Sequence, residues 1–252
     1  MEFIGGNFYM KGCSADDPRC IHNVAEAKRL ILEAGFLPLF ENGAAGFSVE
    51  EHTPAAHWWT GDPETDPWEW RITLSKDPDV AYGKFFDKKA GFISKEWFPD
   101  YANYRRDGYD FDALWEDELA SYRMKKIMDV FRLDEHMNGA EILSAELKEL
   151  AGFGKGGEKN FEGVLTDLQM RGYLIMSDFR QRKNKKGVPY GWHLAALSTP
   201  ETKWGYDHVT SAYRQTSEAS FERMLSLSMQ SFPEAGESEV IKMLSLGRKK
   251  RI

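Results

Sequence analysis

Residues 144–197 combine two short helical patterns with a strand-turn-strand pattern, and this succession most constrains the fold. Ser144 can cap the first helix, AELKELAG. The second helix, within 157–172, places apolar side chains on one face, at Phe161, Val164, Leu165 and Leu168. Tyr173–Ser177 and Tyr190–Leu197 then read as two strands around a Gly-containing turn. The pattern predicts a hairpin that closes a small helical unit.

A longer helical pattern precedes this stretch. Residues 112–133 carry an apolar set at helical spacing, which predicts a helix with one buried face. The order helix, helix, helix, hairpin is that of a winged helix. We therefore predict a mainly α fold with small β-hairpins (α+β class). Its parts are an aromatic-rich N-terminal region 1–111, a winged-helix unit 112–198 and a C-terminal helical region 199–252.

The flanking regions give weaker local predictions. Residues 21–35 predict a helix that stops at Gly35. Residues 80–98 read as two strands around a Lys-Lys-Ala-Gly turn, or as a helix end followed by a strand. From about Thr210 the pattern is helical, with Pro233 and Gly236 separating two helices. No internal repeat of 20–50 residues is visible.

The predicted hairpin turn is basic in an acidic chain. The 252-residue chain has a net charge of −7, yet residues 155–192 hold eight basic and four acidic side chains. Lys and Arg on a wing bind phosphates by releasing counterions, so double-stranded DNA is the expected partner. The alternative is a solvated turn that keeps the hairpin soluble. The residues expected to bind DNA are Lys155, Lys159, Asn160, Arg180, Arg182, Lys183, Lys185 and Lys186.

A second candidate site is the Trp-rich acidic segment 50–71. Its possible pocket residues are His57, Trp58, Trp59, Asp62, Trp68, Trp70 and Arg71. Aromatic walls hold flipped bases, and they raise the pKa of nearby carboxylates that then act as general acids. Asp62, Glu64, Asp66 and Glu69 are the carboxylates available. The alternative is a packing segment with an acidic solvent face.

Other classes of site receive little support. Cys13 and Cys20 are expected to be free thiols in a reducing compartment, and with His22 they do not match a zinc spacing. No cofactor motif and no metal site is predicted. No run of 18 apolar residues exists, so we expect a cytoplasmic protein without a membrane span. The oligomeric state is left open.

Three short motifs resemble a known family. WEWR (68–71), YGKFF (82–86) and KAGFISKEWFP (89–99) resemble proteins related to the DNA glycosylases of the AlkZ type. The resemblance runs from about His57 to Leu197. It implies winged-helix architecture and a relation to DNA repair. The catalytic Gln-x-Gln or Gln-x-Asp of those glycosylases is absent here, since none of the Gln-containing triplets, such as Gln169-Met170-Arg171, matches it.

Three functions stay open at this point. The first is a DNA-binding module without chemistry of its own. The second is a divergent DNA glycosylase acting on damaged bases, with the Trp-rich segment as its base pocket. The third is a winged helix that serves protein–protein contacts, which the acidic net charge permits. Whether the chain is an enzyme is not decided by its sequence.

Overall fold

The protein has an α+β fold, which confirms the predicted class. The computed structural model describes residues 2–4, 7–132, 141–184 and 186–245. The strands are β1 Glu2–Ile4, β2 Asn7–Tyr9, β3 Phe36–Pro38, β4 Val80–Phe86, β5 Lys89–Ser94, β6 Ile142–Leu143, β7 Ile175–Lys183 and β8 Pro189–Ser198. Among these residues, no helix is long and apolar enough to cross a membrane.

Helices surround these strands and include two single 3-10 turns, Glu50–His52 and Ala55–His57. The α-helices are α1 Val24–Ala34, α2 Pro67–Lys76, α3 Phe98–Arg106, α4 Phe111–Glu116, α5 Tyr122–Arg132, α6 Ser144–Leu150, α7 Phe161–Met170, α8 Pro200–Trp204, α9 Tyr206–Val209, α10 Ser217–Ser231 and α11 Glu237–Ser245. The predicted pair of C-terminal helices is confirmed, with Pro233 and Gly236 between them.

One antiparallel sheet joins both hairpins of the chain. Its strand order is β3-β5-β4-β7-β8-β6, and β1 pairs with β2 separately. The two hairpins β4–β5 and β7–β8 meet where Tyr82 of β4 lies opposite Met176 of β7. The predicted hairpins are therefore parts of a six-stranded sheet. The turn of the first is Asp87–Lys88, so Ala90 and Gly91, expected in that turn, belong to β5.

The two halves of the sheet repeat one connectivity. In the first half, α1, β3, α2, β4 and β5 follow each other, with the strands ordered β3-β5-β4. In the second half, α5, β6, α6, α7, β7 and β8 follow each other, with the strands ordered β6-β8-β7. The repeat spans about one hundred residues, so a search for periods of 20–50 residues does not reveal it.

The first helix shows how local sequence sets the element bounds. The side chain of Asn23 accepts a hydrogen bond from the Glu26 N–H at 2.9 Å and caps the start of α1. Ala27, Ile31 and Ala34 form its buried face. Gly35 then adopts a φ of +73°, a conformation that costs glycine little, and the helix ends as predicted.

The predicted helix 112–133 is wrong as a single element. The structure has α4 and α5 there, separated by residues 117–121. Glu118 adopts a left-handed φ of +57°, and the N–H groups of Leu119 and Ala120 both bond to the Leu114 carbonyl. Ser121 then caps α5 through the Met124 N–H. The break turns the chain, so α4 and α5 pack into the same core from different directions.

Two apolar cores lie around the sheet. One gathers the N-terminal half with α10 and α11, and the other gathers residues 111–174 with Leu197. The buried guanidinium of Arg106 lies near both. It donates hydrogen bonds to the Glu201 carboxylate and the Gly172 carbonyl, each 2.5 Å long. This ion pair ties α3 to α8 and to the end of α7.

The expectation of two free thiols is wrong, because Cys13 and Cys20 form a disulfide. Their Cα atoms are 6.1 Å apart, within disulfide range. The Cys13 N–H bonds to the Thr53 carbonyl, and two successive turns at Asp17 and Cys20 fold the chain back. The spacing of seven residues between the two cysteines does not by itself predict these turns.

Candidate nucleic-acid interface

The outer half of the β7–β8 hairpin forms the basic arm, which we define as residues 180–193, and its described side chains are exposed. Gln181, Asn184, residues 186–191 and His193 are exposed. No acidic residue occurs between Phe179 and Pro200 in the sequence. Lys186 is exposed, Arg182 and Lys183 lie in β7 with side chains outside the described part, and Lys185 lies outside the described residues. The predicted basic hairpin therefore exists as a surface feature.

Asn184 fixes the turn of the basic arm. Its side-chain oxygen accepts hydrogen bonds from the N–H groups of Lys186, at 2.9 Å, and Val188, at 3.1 Å. Its own N–H bonds to the Val188 carbonyl, and Gly187 takes a φ of +77°. An Asx side chain that replaces backbone partners in this way stiffens a turn. These hydrogen bonds define the turn between Asn184 and Val188.

Arg180, at the root of the arm, is partly neutralised by the protein. Its Nε donates a 2.7 Å hydrogen bond to Asp178, and its Nη2 pairs with Glu141. Lys76 of α2 lies 2.9 Å from the same Asp178 carboxylate. Burial raises the pKa of Asp178, but hydrogen bonds from Lys76, Arg180 and the Phe179 N–H outweigh it and leave the pKa below its usual value. Any phosphate near Arg180 competes with this carboxylate.

The helix α7, expected to enter a groove, is largely buried. Its exposed positions are Glu162 and Gly163, and Asp167 is half-buried. Gln169, considered as a base reader, is 1% exposed, and its side-chain oxygen accepts the Lys84 N–H at 3.1 Å. The outward face of α7 thus presents carboxylates, which repel phosphates.

Lys155, Lys159 and Asn160 lie exposed on the loop before α7. Asn160 has a left-handed φ of +68°, and its side chain does not cap the helix. It lies instead over Gly163, where a Cβ would come within 2.4 Å of the Asn160 side-chain oxygen. The loop offers two exposed cations beside a helix with an acidic face.

The Trp-rich segment divides into core and surface residues. Trp58 and Trp70 are buried, and their indole N–H groups bond to the Thr53 hydroxyl and the Glu64 carbonyl. These two residues therefore pack in the core. Trp59 is 40% exposed and its ring centroid lies 4.9 Å from that of half-buried Trp68. The half-buried His57 ring meets the His22 ring edge-on at 5.8 Å.

The two aspartates of this segment hold its backbone. Asp62 accepts hydrogen bonds from the Glu64 N–H and the Thr65 hydroxyl, which lower its pKa. A general acid works best with a raised pKa, so this shift does not favour Asp62 in that role. Asp66 is fully buried and accepts the N–H groups of Trp68 and Gly61, so it caps α2. Both carboxylates thus accept hydrogen bonds from the local backbone.

Arg71 lies against two aromatic rings. Its guanidinium carbon lies 3.6 Å from the centroid of the Trp68 ring and 4.5 Å from that of Phe179. Arg71 is 8% exposed, and its Nε is buried without a hydrogen-bond acceptor among the described residues. Burial lowers its pKa, against the charges of Tyr82, Glu69 and Asp66. The group stays a cation at neutral pH because the pKa of arginine is so high.

The structure brings the two sequence-predicted regions together. Helix α2 packs against β7, so Arg71 meets Phe179 and Lys76 meets Asp178. These pairs lie more than one hundred positions apart in the chain. Phe179 and Asp178 were missed as site residues, although their place just before the basic turn was a usable signal. Within the described part of the chain, no three His, Cys, Asp or Glu side chains cluster as metal ligands.

Comparison with known families identifies the chain's relatives. The sequence model of the family described as AlkZ related matches residues 21–245, most of the chain. The protein therefore belongs to the AlkZ-related family, as the motifs of the Trp-rich segment and the first hairpin suggested. No curated protein and no solved structure matches it.

Proposed function

We propose that this AlkZ-related protein binds duplex DNA, with the basic arm as its main contact. The observation that carries the proposal is the arm itself: a hairpin with five Lys or Arg and no acid in an otherwise acidic chain, of which Arg180 and Lys186 are exposed. Binding through such residues is driven by counterion release, and it does not require a positive net charge. The family relation to DNA repair glycosylases supports the same partner.

The connectivity supports a winged-helix assignment for this proposal. Helix α5, strand β6, helices α6 and α7 and the β7–β8 hairpin occur in the order of a winged helix, within the predicted unit 112–198. The basic arm is then the wing. The first half, with α1, β3, α2 and the β4–β5 hairpin, repeats the order and forms a second such unit.

In this proposal the wing, and not the helix before it, holds the DNA. The exposed side chain Glu162 and the half-buried Asp167 give α7 an unfavourable charge for a groove lined by phosphates. Lys155 and Lys159, on the exposed loop before α7, extend the basic surface. Contacts of this kind position DNA and carry little sequence information. We therefore propose binding with weak sequence preference.

The test is duplex binding measured over a range of salt concentrations. The triple variant Arg182→Ala, Lys183→Ala, Lys186→Ala should weaken binding at least tenfold at low salt. It should also lower the slope of log K against log salt by about 2 to 3. A charge-matched control, Arg29→Ala, Arg214→Ala, Lys242→Ala, removes exposed cations from α1, from the segment between α9 and α10, and from α11. Equal losses in both variants, or no duplex binding by the unaltered chain, would overturn the proposal.

Base excision is the second candidate, and the Trp59–Trp68 pair is the feature that favours it. Partly exposed aromatic walls beside a cation resemble the surroundings of a flipped base. With Asp62 and Asp66 holding backbone, Glu64 and Glu69 are the carboxylates left for chemistry. Release of base from alkylated or cross-linked duplexes, lost in Glu69→Gln, is the result this candidate requires. Binding without release from a broad lesion panel would leave the binding function alone.

A further inference from the structure

Two buried arginines of this protein differ sharply in their partners. Arg106 donates to the Glu201 carboxylate and the Gly172 carbonyl, and its Nη1 also lies 3.3 Å from the Tyr213 hydroxyl. Arg71 is nearly as buried, yet no carboxylate of the described residues forms an ion pair with it. Arg106 is therefore paired with a carboxylate, although its Nε, like that of Arg71, is buried without an acceptor among the described residues. Arg71 is a largely buried cation that forms no ion pair with any of those residues.

The aromatic rings around Arg71 do not offset this cost. A cation–π contact, even when desolvated, offsets only part of the penalty for burying an ion. Two carboxylates of this region have other partners. Asp66 accepts the N–H groups of Trp68 and Gly61, and Asp178 accepts bonds from Lys76, Arg180 and the Phe179 N–H. Glu69 lies near enough to oppose the lowering of the Arg71 pKa by burial, but it forms no ion pair with Arg71. Arg71 is thus a buried cation that forms no ion pair, and whose Nε has no acceptor, among the residues that the structure describes.

We infer that Arg71 is an anion-binding residue whose ligand is a phosphate group, and that in the bound complex this phosphate belongs to the DNA backbone. The last clause rests on the proposed function. Trp68 and Phe179 both lie against the guanidinium, so a ligand has to reach its N–H groups on a side that the two rings leave open. In-plane N–H donors of arginine match the oxygens of a phosphate.

The position of Arg71 suits a backbone phosphate. Phe179, one of its two rings, is the residue immediately before the basic arm on β7. Trp68, the other ring, contacts the 40% exposed Trp59 and so connects the site to the surface. A duplex that binds the arm passes close to Phe179, the residue at which the arm joins the sheet. Arg71 then supplies the fixed contact and the arm supplies the exposed ones.

The first experiment observes Arg71 in the unaltered protein. The ¹⁵N resonance of its Nε–H is followed while inorganic phosphate, and separately a short duplex, is added. We expect the resonance to shift with both, at lower concentration with duplex. A resonance that stays fixed while the duplex binds would refute the inference and leave the proposed function intact. A shift with phosphate alone, in a chain that binds no duplex, would retain the site and refute the proposed function. No shift and no duplex binding would refute both.

The second experiment uses variants. Arg71→Gln should weaken duplex binding roughly tenfold to a hundredfold, the range for hydrogen bonds to charged groups. The salt slope should fall by about 1, whereas Arg71→Lys should keep the slope and lose part of the affinity. Arg29→Gln, exposed on α1, controls for the loss of one charge. A folded Arg71→Gln variant with unchanged affinity and slope would refute the inference. If that variant does not fold, the duplex affinity of Arg71→Lys and the Arg71 resonance of the unaltered protein still test the inference.

Discussion

The guanidinium Nε of Arg180 donates a 2.7 Å hydrogen bond to the carboxylate of Asp178. The same carboxylate accepts a bond from Lys76, so one acid holds two cations at the root of the basic arm. If DNA binds there, Asp178 opposes it. Asp178→Asn should therefore raise duplex affinity several-fold at low salt and steepen the salt slope by about 1.

A matched control for that prediction is Asp16→Asn, which removes one exposed negative charge from the disulfide-closed loop. It should change affinity little, because exposed charges farther away than a Debye length are screened. Fluorescence anisotropy with a labelled duplex measures both variants. Equal effects of the two substitutions would mean that net charge, and not the Asp178 contacts, sets the affinity.

Asp178 also links stability to pH. Its folded-state pKa lies below that of an ordinary aspartate, so its ionised form stabilises the folded protein at pH values above the ordinary one. This contribution is lost as the pH falls through the folded-state pKa. The difference in free energy of unfolding between the unaltered protein and Asp178→Asn should be constant from pH 7 to about 5 and shrink below pH 4. A difference that does not vary down to pH 3 would contradict the assignment.

The ion pair between Arg106 and Glu201 should be a strong determinant of stability. Its Arg106 side chain is 1% exposed, so Glu201→Gln leaves a buried cation without a counter-ion. We expect a loss of about 2 to 4 kcal/mol in urea unfolding, near the range for breaking buried pairs. Glu234→Gln is the control, because it breaks the exposed pair with Arg19 and should produce no measurable change. Comparable losses of unfolding free energy in the two variants would show that burial of the ion pair is not the cause of the effect.

The β4–β5 turn should accept glycine with a gain in stability. Asp87 and Lys88 have positive φ values of +45° and +63°, the backbone of a two-residue turn in which Asn-Gly is preferred. Lys88→Gly should stabilise the protein by roughly 0.5 to 1 kcal/mol, because glycine adopts this conformation without steric cost. Lys89→Gly, one residue later in β5, should destabilise it. Thermal unfolding of the two variants makes the comparison, and the opposite order would refute the turn assignment.

Local patterns predicted the local elements well. The stop at Gly35, the helix–hairpin succession in 144–197 and the two C-terminal helices all follow from spacing and turn residues, and all are present. The error at 112–133 has a local cause too. The apolar spacing continues through Glu118, but the chain there takes a left-handed turn that no residue type in the segment demands.

The contacts that assemble the candidate site could not be predicted in this way. Tyr82 meets Met176, and Arg71 meets Phe179, across intervals of about one hundred residues. Periodicity reports which face of an element is apolar, and it does not report which other element covers that face. The same limit explains the burial of α7, since its polar Gln169 is satisfied by the backbone of a distant strand.

The junction between β4 and β7 is reinforced from both sides, because α2 packs on β7 while α7 packs on β4. Each half of the sheet thus supplies the helix that packs on the joining strand of the other half. Removing either half would expose apolar surface and unpaired backbone on the remaining one. The two cores should consequently melt in one cooperative transition, and a fragment such as residues 112–198 should not persist in the folded state by itself.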